Sequence, residues 1–290
     1  MRVLHLTDTH LGSRWAIEGA PRGFCRSHDH AEALERALAP VFAGEVDAVV
    51  HTGDVFDRSR PPSDAIATAR AAFGRVGAQV PVVMIPGNHD RRGLAHTLGD
   101  LPGVEVHDAP ARVRLGELWV GAVPYVGRAA AWSEAARVAV GAGVDLLLAH
   151  EAFHGVRVPG FTFRAGARDD TVGVDHLPPG VRDVACGHLH PRQIVHVGAA
   201  RVVCPGSTER TALSEASQRK GYAMWTRRGG SWDVSLHDLP VRPVLVLSDA
   251  DQLDHVVPGA LVRCPSALAT EVHARGGWIL PHRSQLSLFG

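Results

Sequence analysis

Val82-Val83-Met84-Ile85-Pro86-Gly87-Asn88-His89-Asp90 is the stretch on which the reading of the fold turns. Four apolar residues run unbroken, as in a strand buried on both faces. Pro86-Gly87 stops the run, and three polar side chains follow at once. In open α/β sheets the chemistry gathers in such loops, at the carboxyl ends of the strands.

The same arrangement recurs on either side. Upstream, Arg2–Thr7 alternates as a first strand and ends at Asp8-Thr9-His10-Leu11-Gly12. A second strand, Asp47–His51, ends at Thr52-Gly53-Asp54-Val55-Phe56-Asp57-Arg58. Between them Ala31, Leu34, Leu38 and Val41 recur at helical spacing, which predicts a helix over Ser27–Ala43. A second helix is expected from Ser63, with Ser63 as its N-cap and Ile66, Phe73 and Val76 on its buried face. Downstream, runs at Val104–His107, Arg112–Leu115 and Leu118–Val123 suggest antiparallel additions to the sheet. A helix over Ala129–Val140 leads to the strand Val144–Ala149, which ends at His150. Residues Glu151–Gly180 read as a long loop, a length more often functional than accidental. The strand Val181–Cys186 then ends at Gly187-His188-Leu189-His190, and short strands continue to Leu236. Alternation of strand and helix makes the class α/β. Val241–Leu280 starts again with strand, helix (Ala250–Val256) and strand, as a small appended α+β unit.

Lys+Arg 30 against Asp+Glu 30 gives no net charge, which argues against gripping nucleic acid by bulk charge alone. It leaves room for a nucleic-acid enzyme that borrows a basic surface from a partner. Cys25, Cys186, Cys204 and Cys264 form no CxxC pair, so neither a zinc finger nor a disulfide framework is expected. No apolar run reaches the ~20 residues that cross a bilayer, and Met1-Arg2 leads straight into a strand. A cytoplasmic protein without a membrane segment is expected.

Five strand-end clusters thus carry chemistry: Asp8-x-His10, Gly53-Asp54-x-x-Asp57, Gly87-Asn88-His89-Asp90, His150 and Gly187-His188-x-His190. Any one of them is more often a cap or a satisfied polar group. As a set on adjacent strands of one sheet, they would bring carboxylate, amide and imidazole donors to one point. That mixture suits manganese, iron, zinc or cobalt. It is too rich in nitrogen for calcium and lacks the thiolates of a structural zinc site.

This ordered set resembles the calcineurin-like metallophosphoesterases over about the first 240 residues. Asp8-Thr-His-Leu-Gly, Gly53-Asp-Val-Phe-Asp, Ser59-Arg-Pro, Pro205-Gly-Ser-Thr-Glu-Arg and Lys220-Gly-Tyr are similar to the Mre11/SbcD nuclease branch of that family. The resemblance implies a four-layer α-β-β-α sandwich over residues 1–240, with a shortened capping-like unit at 241–280 and a tail at 281–290. It implies two divalent ions, manganese first, with Fe, Zn, Co or Mg as alternatives. Asp8, His10, Asp54 and His190 would hold one ion; Asp54, Asn88, His150 and His188 would hold the other, with Asp54 bridging. Such a pair supplies a water-derived nucleophile and clamps the phosphate oxygens. His89 would serve the leaving oxygen and Asp57 would orient His89; some nuclease members carry His at the place of Asp57. Arg58 is a candidate phosphate contact, and Asp90 a supporting residue or helix N-cap. His5, His51, His107 and His196 read as structural; His154 and His176, in the long loop, could touch substrate, but a plain loop role is favoured.

The function implied is DNA phosphodiester hydrolysis in repair or recombination, by exonuclease or endonuclease action, with DNA and a Rad50/SbcC-type ATPase as partners and homodimerisation as a family habit. Gln285-Leu286-Ser287-Leu288-Phe289 resembles the short peptide that docks on the bacterial sliding clamp, with Gln285 hydrogen-bonding and Leu286, Leu288 and Phe289 filling an apolar pocket. Two other classes stay open at this level. A small-molecule phosphatase or phosphodiesterase would be efficient without polymer, and a metal-stabilised scaffold would be indifferent to loss of His89.

Overall fold

The computed structural model describes residues 1–15, 17–91, 93–159, 161–164 and 166–281; Gln285, Leu286, Leu288 and Phe289 lie outside the described residues. In chain order the first half runs β1 (Arg2–Leu6), α1 (Arg26–Phe42), β2 (Ala48–His51), α2 (Ser63–Gly77), β3 (Val82–Met84), α3 (Gly93–Leu98), β4 (Val104–Val106), β5 (Ala111–Leu115), β6 (Leu118–Ala122), α4 (Ala129–Val140) and β7 (Leu146–His150). The short strands β8 (Ala152–Phe153), β9 (Arg157–Val158), β10 (Phe161–Thr162) and β11 (Thr171–Val172) follow. Then come β12 (Asp183–Gly187), β13 (Gln193–Val197), β14 (Ala200–Cys204), β15 (Gly221–Arg228) and β16 (Ser231–Asp238). The chain ends with β17 (Val244–Val246), β18 (Leu261–Arg263), α5 (Ala269–Ala274) and β19 (Trp278–Ile279).

Two six-stranded sheets carry the fold, in the orders β16-β15-β1-β2-β3-β4 and β13-β14-β12-β7-β6-β5. Their central strands carry apolar residues at successive positions because alternate side chains enter different cores. Leu4, Leu6, Val49, Val82 and Met84 face α1, α2 and α3, where Leu34, Leu38, Phe73 and Val76 meet them. Their neighbours Val3, Val50, Val83 and Ile85 face the second sheet and pack on Leu146, Leu148, Ala185 and Val203. The second sheet turns Leu147, Ala149, Val184, Cys186 and Val202 outward, onto Trp132 and Ala136 of α4. Helices, sheet, sheet and helix form the four layers expected.

Three details depart from the sequence reading. β4 joins the first sheet parallel to β3, and β6 joins the second parallel to β7; within these runs only the β5–β6 hairpin is antiparallel. α2 begins with Pro62 at the N-cap position and makes no side-chain cap hydrogen bond. Pro61-Pro62 already holds the chain extended and has no N–H groups to satisfy, so Ser63 falls inside the helix. Part of the stretch after His150 is structural. β8 pairs with β11, β9 with β10, and Phe153, Val156, Phe163 and Val172 complete the core under Trp132.

The C-terminal segment forms a parallel β17-β18-β19 sheet over its own cluster of Leu253, Val256, Val262, Cys264 and Val272. Arg242 at its start reaches Asp29 of α1 at 2.7 and 2.8 Å, and the Trp278 ring stands 4.6 Å from that of Phe24. No helix among the described residues is long and apolar enough to cross a membrane.

Candidate metal centre

The parallel strands of both sheets point their carboxyl ends at one place. The loops after β1, β2 and β3 bring Asp8, His10, Asp54, Asn88 and His89 from the first sheet. The end of β7 and the loop after β12 bring His150, His188 and His190 from the second. The convergence therefore spans two sheets, where the sequence reading placed it on one. Among the described residues five non-glycine residues have positive φ, and four of them are candidate ligands: Asp8 (49°), His10 (45°), Asp54 (55°) and His188 (92°). Side chains avoid this conformation, and it persists where the surroundings impose it for function. Glycine makes the close approach feasible. A side chain on Gly53 (φ 97°) would strike the ring of His150 and the backbone of Gly87, and one on Gly187 would strike Thr7 and Thr52.

The donors sort into two groups. In the first, His10 Nε2 lies 3.2 Å from His190 Nε2, 4.0 Å from Asp8 Oδ1 and 3.8 Å from Asp54 Oδ2. In the second, Asn88 Oδ1 lies 3.1 Å from His150 Nε2 and 3.0 Å from His188 Nδ1, and His150 Nε2 is 3.3 Å from Asp54 Oδ2. Asp54 borders both. Bonds of about 2.0–2.2 Å from one ion place neighbouring ligand atoms roughly 3 Å apart, which these spacings allow.

The hydrogen bonds show why a cation fits. Thr52 O accepts from His150 Nδ1 at 2.6 Å, which fixes the tautomer and leaves Nε2 of the neutral ring a lone pair. That lone pair faces two acceptors, Asp54 and Asn88 Oδ1. Without a metal the ring must take a proton: burial opposes charge, yet the Asp54 carboxylate, then Asp8 and the Thr52 carbonyl, lift the His150 pKa to about 10. His188, buried and repelled by His150, falls to about 4. Burial alone would raise Asp54, but His150, His10 and His89 pull it down. Cations held by these residues would satisfy the same atoms with the rings neutral, so the donor set suits a pair of divalent metals.

His89 sits on the open side. Its backbone N–H donates to Asp54 Oδ1 at 2.8 Å, and its Nδ1 meets the backbone carbonyl of Asp57 at 2.7 Å. The ligand atoms of His10, Asp54 and His89 also fall within 4.8 Å of one another, but the Nδ1 bond turns the His89 ring toward the pocket. Asp57 thus holds His89 through its main chain, where a carboxylate contact was expected. The Asp57 carboxylate stands 3.6 Å from His10 Nδ1; burial pushes its pKa up, but His10 holds it down to about 2. Asp90 acts as a supporting residue. Its carboxylate accepts from the N–H groups of Val55, Phe56 and Gly87 at 3.0, 2.8 and 3.3 Å, tying the β2 loop to the β3 loop. Arg58 is exposed, 3.5 Å from Asp57.

Sequence reasoning missed two supports. Glu215 Oε1 accepts from His190 Nδ1 at 2.7 Å, and its Oε2 accepts from Lys220 Nζ at 2.5 Å, all three residues being buried. Burial opposes its charge, but His190 and Lys220 hold its pKa well below the usual range, while His190 is raised. The other is the Thr52 carbonyl beneath His150. His5 and His51 are buried, with pKa values near 3 set first by burial, and they act as neutral packing groups.

Residues 1–192 match the family described as Calcineurin-like phosphoesterase. The chain belongs to the calcineurin-like metallophosphoesterases. This family uses two divalent metals, in keeping with the paired donor groups. Among curated relatives, the DNA double-strand break repair protein Mre11 of Methanosarcina mazei is 26% identical over 260 residues, covering 86% of this chain and 40% of that protein. The SbcD component of nuclease SbcCD from Rhodobacter capsulatus is 28% identical, covering 80% of this chain and 67% of that protein. Mre11 of Haloferax volcanii is 29% identical, covering 83% and 53%. The chain therefore spans about half the length of such Mre11 relatives.

Proposed function

We propose that this chain is a two-metal DNA nuclease of the Mre11/SbcD kind, hydrolysing phosphodiesters in repair or recombination. The observation that carries the reading is the pair of donor groups sharing Asp54, with His89 beside them and not absorbed by either. When bound, two divalent ions, manganese foremost, supply a water-derived nucleophile and neutralise phosphate charge. The chain's own residues do the rest. Asp54 orders His89 through the backbone bond at 2.8 Å. With Nδ1 committed to the Asp57 carbonyl, a proton on Nε2 makes the ring a cation, suited to donate to the departing sugar oxygen. Relatives named for Mre11 and for nuclease SbcCD over most of this chain favour DNA as the polymer. By the same route an SbcC- or Rad50-type ATPase is the proposed partner, and residues 241–280 a shortened capping unit.

The test is hydrolysis of single- and double-stranded DNA with manganese, beside a small chromogenic diester. Wild type should degrade DNA. Asn88→Ala should lose both activities, and His89→Ala should lose turnover while still binding metal. Hydrolysis of the small diester with DNA left intact under every divalent metal would overturn the nuclease reading and favour a small-molecule phosphodiesterase. Full activity in His89→Ala would overturn the assignment of the leaving-group role.

A further inference from the structure

A trough of about 380 Å³ opens from the metal centre on the His89 side, lined by Asp57, Arg58, Ser59, Asn88, His89, Arg91 and Tyr125. Asp57, Asn88 and His89 also line the hollow over the donor groups, so the two are continuous. A second hollow, of about 260 Å³, continues beyond Arg91 and Tyr125 to Pro124 and Asp108. Tyr125 and Arg91 stand where these two spaces meet, in a volume range typical of ligand sites.

Tyr125 is unusual in its exposure. At 37% exposed it is one of two aromatics among the exposed large apolar side chains of the described residues; the other, Phe42, lies under the Arg75 guanidinium. An aromatic ring left open beside a polar centre calls for an explanation. It is also held in place. The Tyr125 N–H donates to Pro86 O at 3.0 Å, and the next two N–H groups, of Val126 and Gly127, donate to buried Glu151 Oε1 at 2.7 and 2.8 Å. Its ring leans on His188 and His150, with centroids 5.5 and 6.0 Å away, and seats over Gly127, where any side chain would collide with it. The ring is therefore pre-organised, with its ordering cost met by the fold.

Two cations share its trough. Arg58 is 56% exposed and borders the acid Asp57. Arg91 is exposed at a strained φ of 48°, and among the described residues no carboxylate pairs with it. A fixed aromatic face in one trough with two exposed guanidiniums is the combination that grips a nucleic-acid strand: bases stack on the ring, and phosphates meet the cations. Stacking needs a base freed from its partner, so the arrangement suits an unpaired nucleotide.

We propose that Tyr125, with Arg58 and Arg91, forms a nucleotide subsite that stacks the unpaired base on the His89 side of the scissile phosphate and holds the flanking phosphate. The proposal rests on the nuclease reading and deepens it: a duplex must fray before its strand enters this trough. Tyr125 is a positioning residue, selecting polymer over small diester.

The experiment compares wild type, Tyr125→Phe and Tyr125→Ala on a single-stranded oligonucleotide and on bis(p-nitrophenyl) phosphate, with manganese. The ratio of kcat/KM for the two substrates should fall about tenfold in Tyr125→Ala, the scale of one lost base stack, mainly through KM. Tyr125→Phe should restore it. An oligonucleotide with 2-aminopurine beside the cleavage point should be quenched on binding wild type and Tyr125→Phe, and not Tyr125→Ala. Arg91→Gln should weaken oligonucleotide binding and flatten its salt dependence by about one counterion. Wild type that cuts DNA while Tyr125→Ala keeps the same ratio and the same quenching sinks the subsite alone. Wild type that hydrolyses only the small diester sinks the nuclease reading beneath it.

Discussion

The centre anchors two of its imidazoles in opposite ways. His150 is held by a main-chain carbonyl, that of Thr52, at 2.6 Å. His190 is held by a side chain, Glu215, at 2.7 Å, and Glu215 is held in turn by buried Lys220. The first anchor belongs to the sheet sandwich itself: β7 of one sheet leans on the loop after β2 of the other. The second depends on charges placed by the segment after β14, and charged groups extend from it. Arg210 Nε donates to Glu215 O, and Arg26 reaches Glu209 at 3.3 Å and Asp29 at 2.5 Å. Arg242, leading into the C-terminal segment, reaches Asp29 as well. One half of the centre is thus as stable as the fold, while the other can be weakened by single substitutions.

Asp54 borders both halves, so its loss should erase the contrast. Asp54→Asn removes the shared charge and disturbs the hydrogen bond to the His89 N–H. Catalysis should drop by on the order of 10³-fold, and bound manganese, measured by calorimetry, should fall at both groups together. Retention of one full-affinity ion would show that the halves are independent.

Glu215→Gln attacks the second anchor alone. A carboxylate behind an imidazole raises its basicity and fixes its orientation, and losing such a support costs about 10–100-fold in metal affinity. Manganese titration should show that loss on one ion, with the other unchanged. Lys220 is left without its counter-charge, so unfolding should also come earlier, by up to about 3–5 kcal/mol. A manganese isotherm equal to wild type would mean that Glu215 only packs Lys220.

The contrast also explains what was legible in the sequence. The strands could be read because alternate apolar residues enter two cores, and each run ends abruptly at a polar donor: Gly53-Asp54, Gly87-Asn88 and Gly187-His188, and without glycine Thr7-Asp8 and Ala149-His150. The seven ligand candidates stand at those breaks, and the structure brings them together. A main-chain anchor leaves no residue signature: nothing about Thr52 as a residue type says that its carbonyl faces His150. Asp57 shows the same limit, since its backbone, and not its carboxylate, holds His89. Glu215 lies 25 residues past His190 in a short turn without periodicity, Leu213–Glu215. It could have been found only by asking what neutralises Lys220, which the structure buries. α5 and β19 escaped because runs of six and two residues carry almost no periodic signal.

The charges beyond Glu215 should carry an acid sensitivity of their own, away from the donor atoms. Burial alone would raise the Asp29 pKa, yet Arg242 and Arg26 hold it below its ordinary value. A carboxyl depressed in the folded state adds stability above its unfolded pKa of about 3.9, and that stability disappears as pH falls through the lower folded value. Asp29→Asn should therefore flatten the pH dependence of the unfolding midpoint below about pH 4. An unchanged acid limb would show that Asp29 contributes no linkage.

The smallest effect at the metal is expected from Thr52→Val, although Thr52 lies deeper in the centre than Glu215. The substitution removes Oγ1, which meets His5 Nε2 at 2.9 Å, but it leaves the carbonyl under His150 in place. His5 is buried and neutral, so a lost partner there should cost about 1–3 kcal/mol of stability. The bond from His150 Nδ1 goes to the main chain and is unaffected by the change of side chain. Manganese affinity should stay within about twofold of wild type, a difference of roughly 0.4 kcal/mol, while thermal unfolding shifts. A tenfold loss of affinity in this variant would mean that the carbonyl moves with its side chain, and the main-chain anchor would then be no more secure than the carboxylate one.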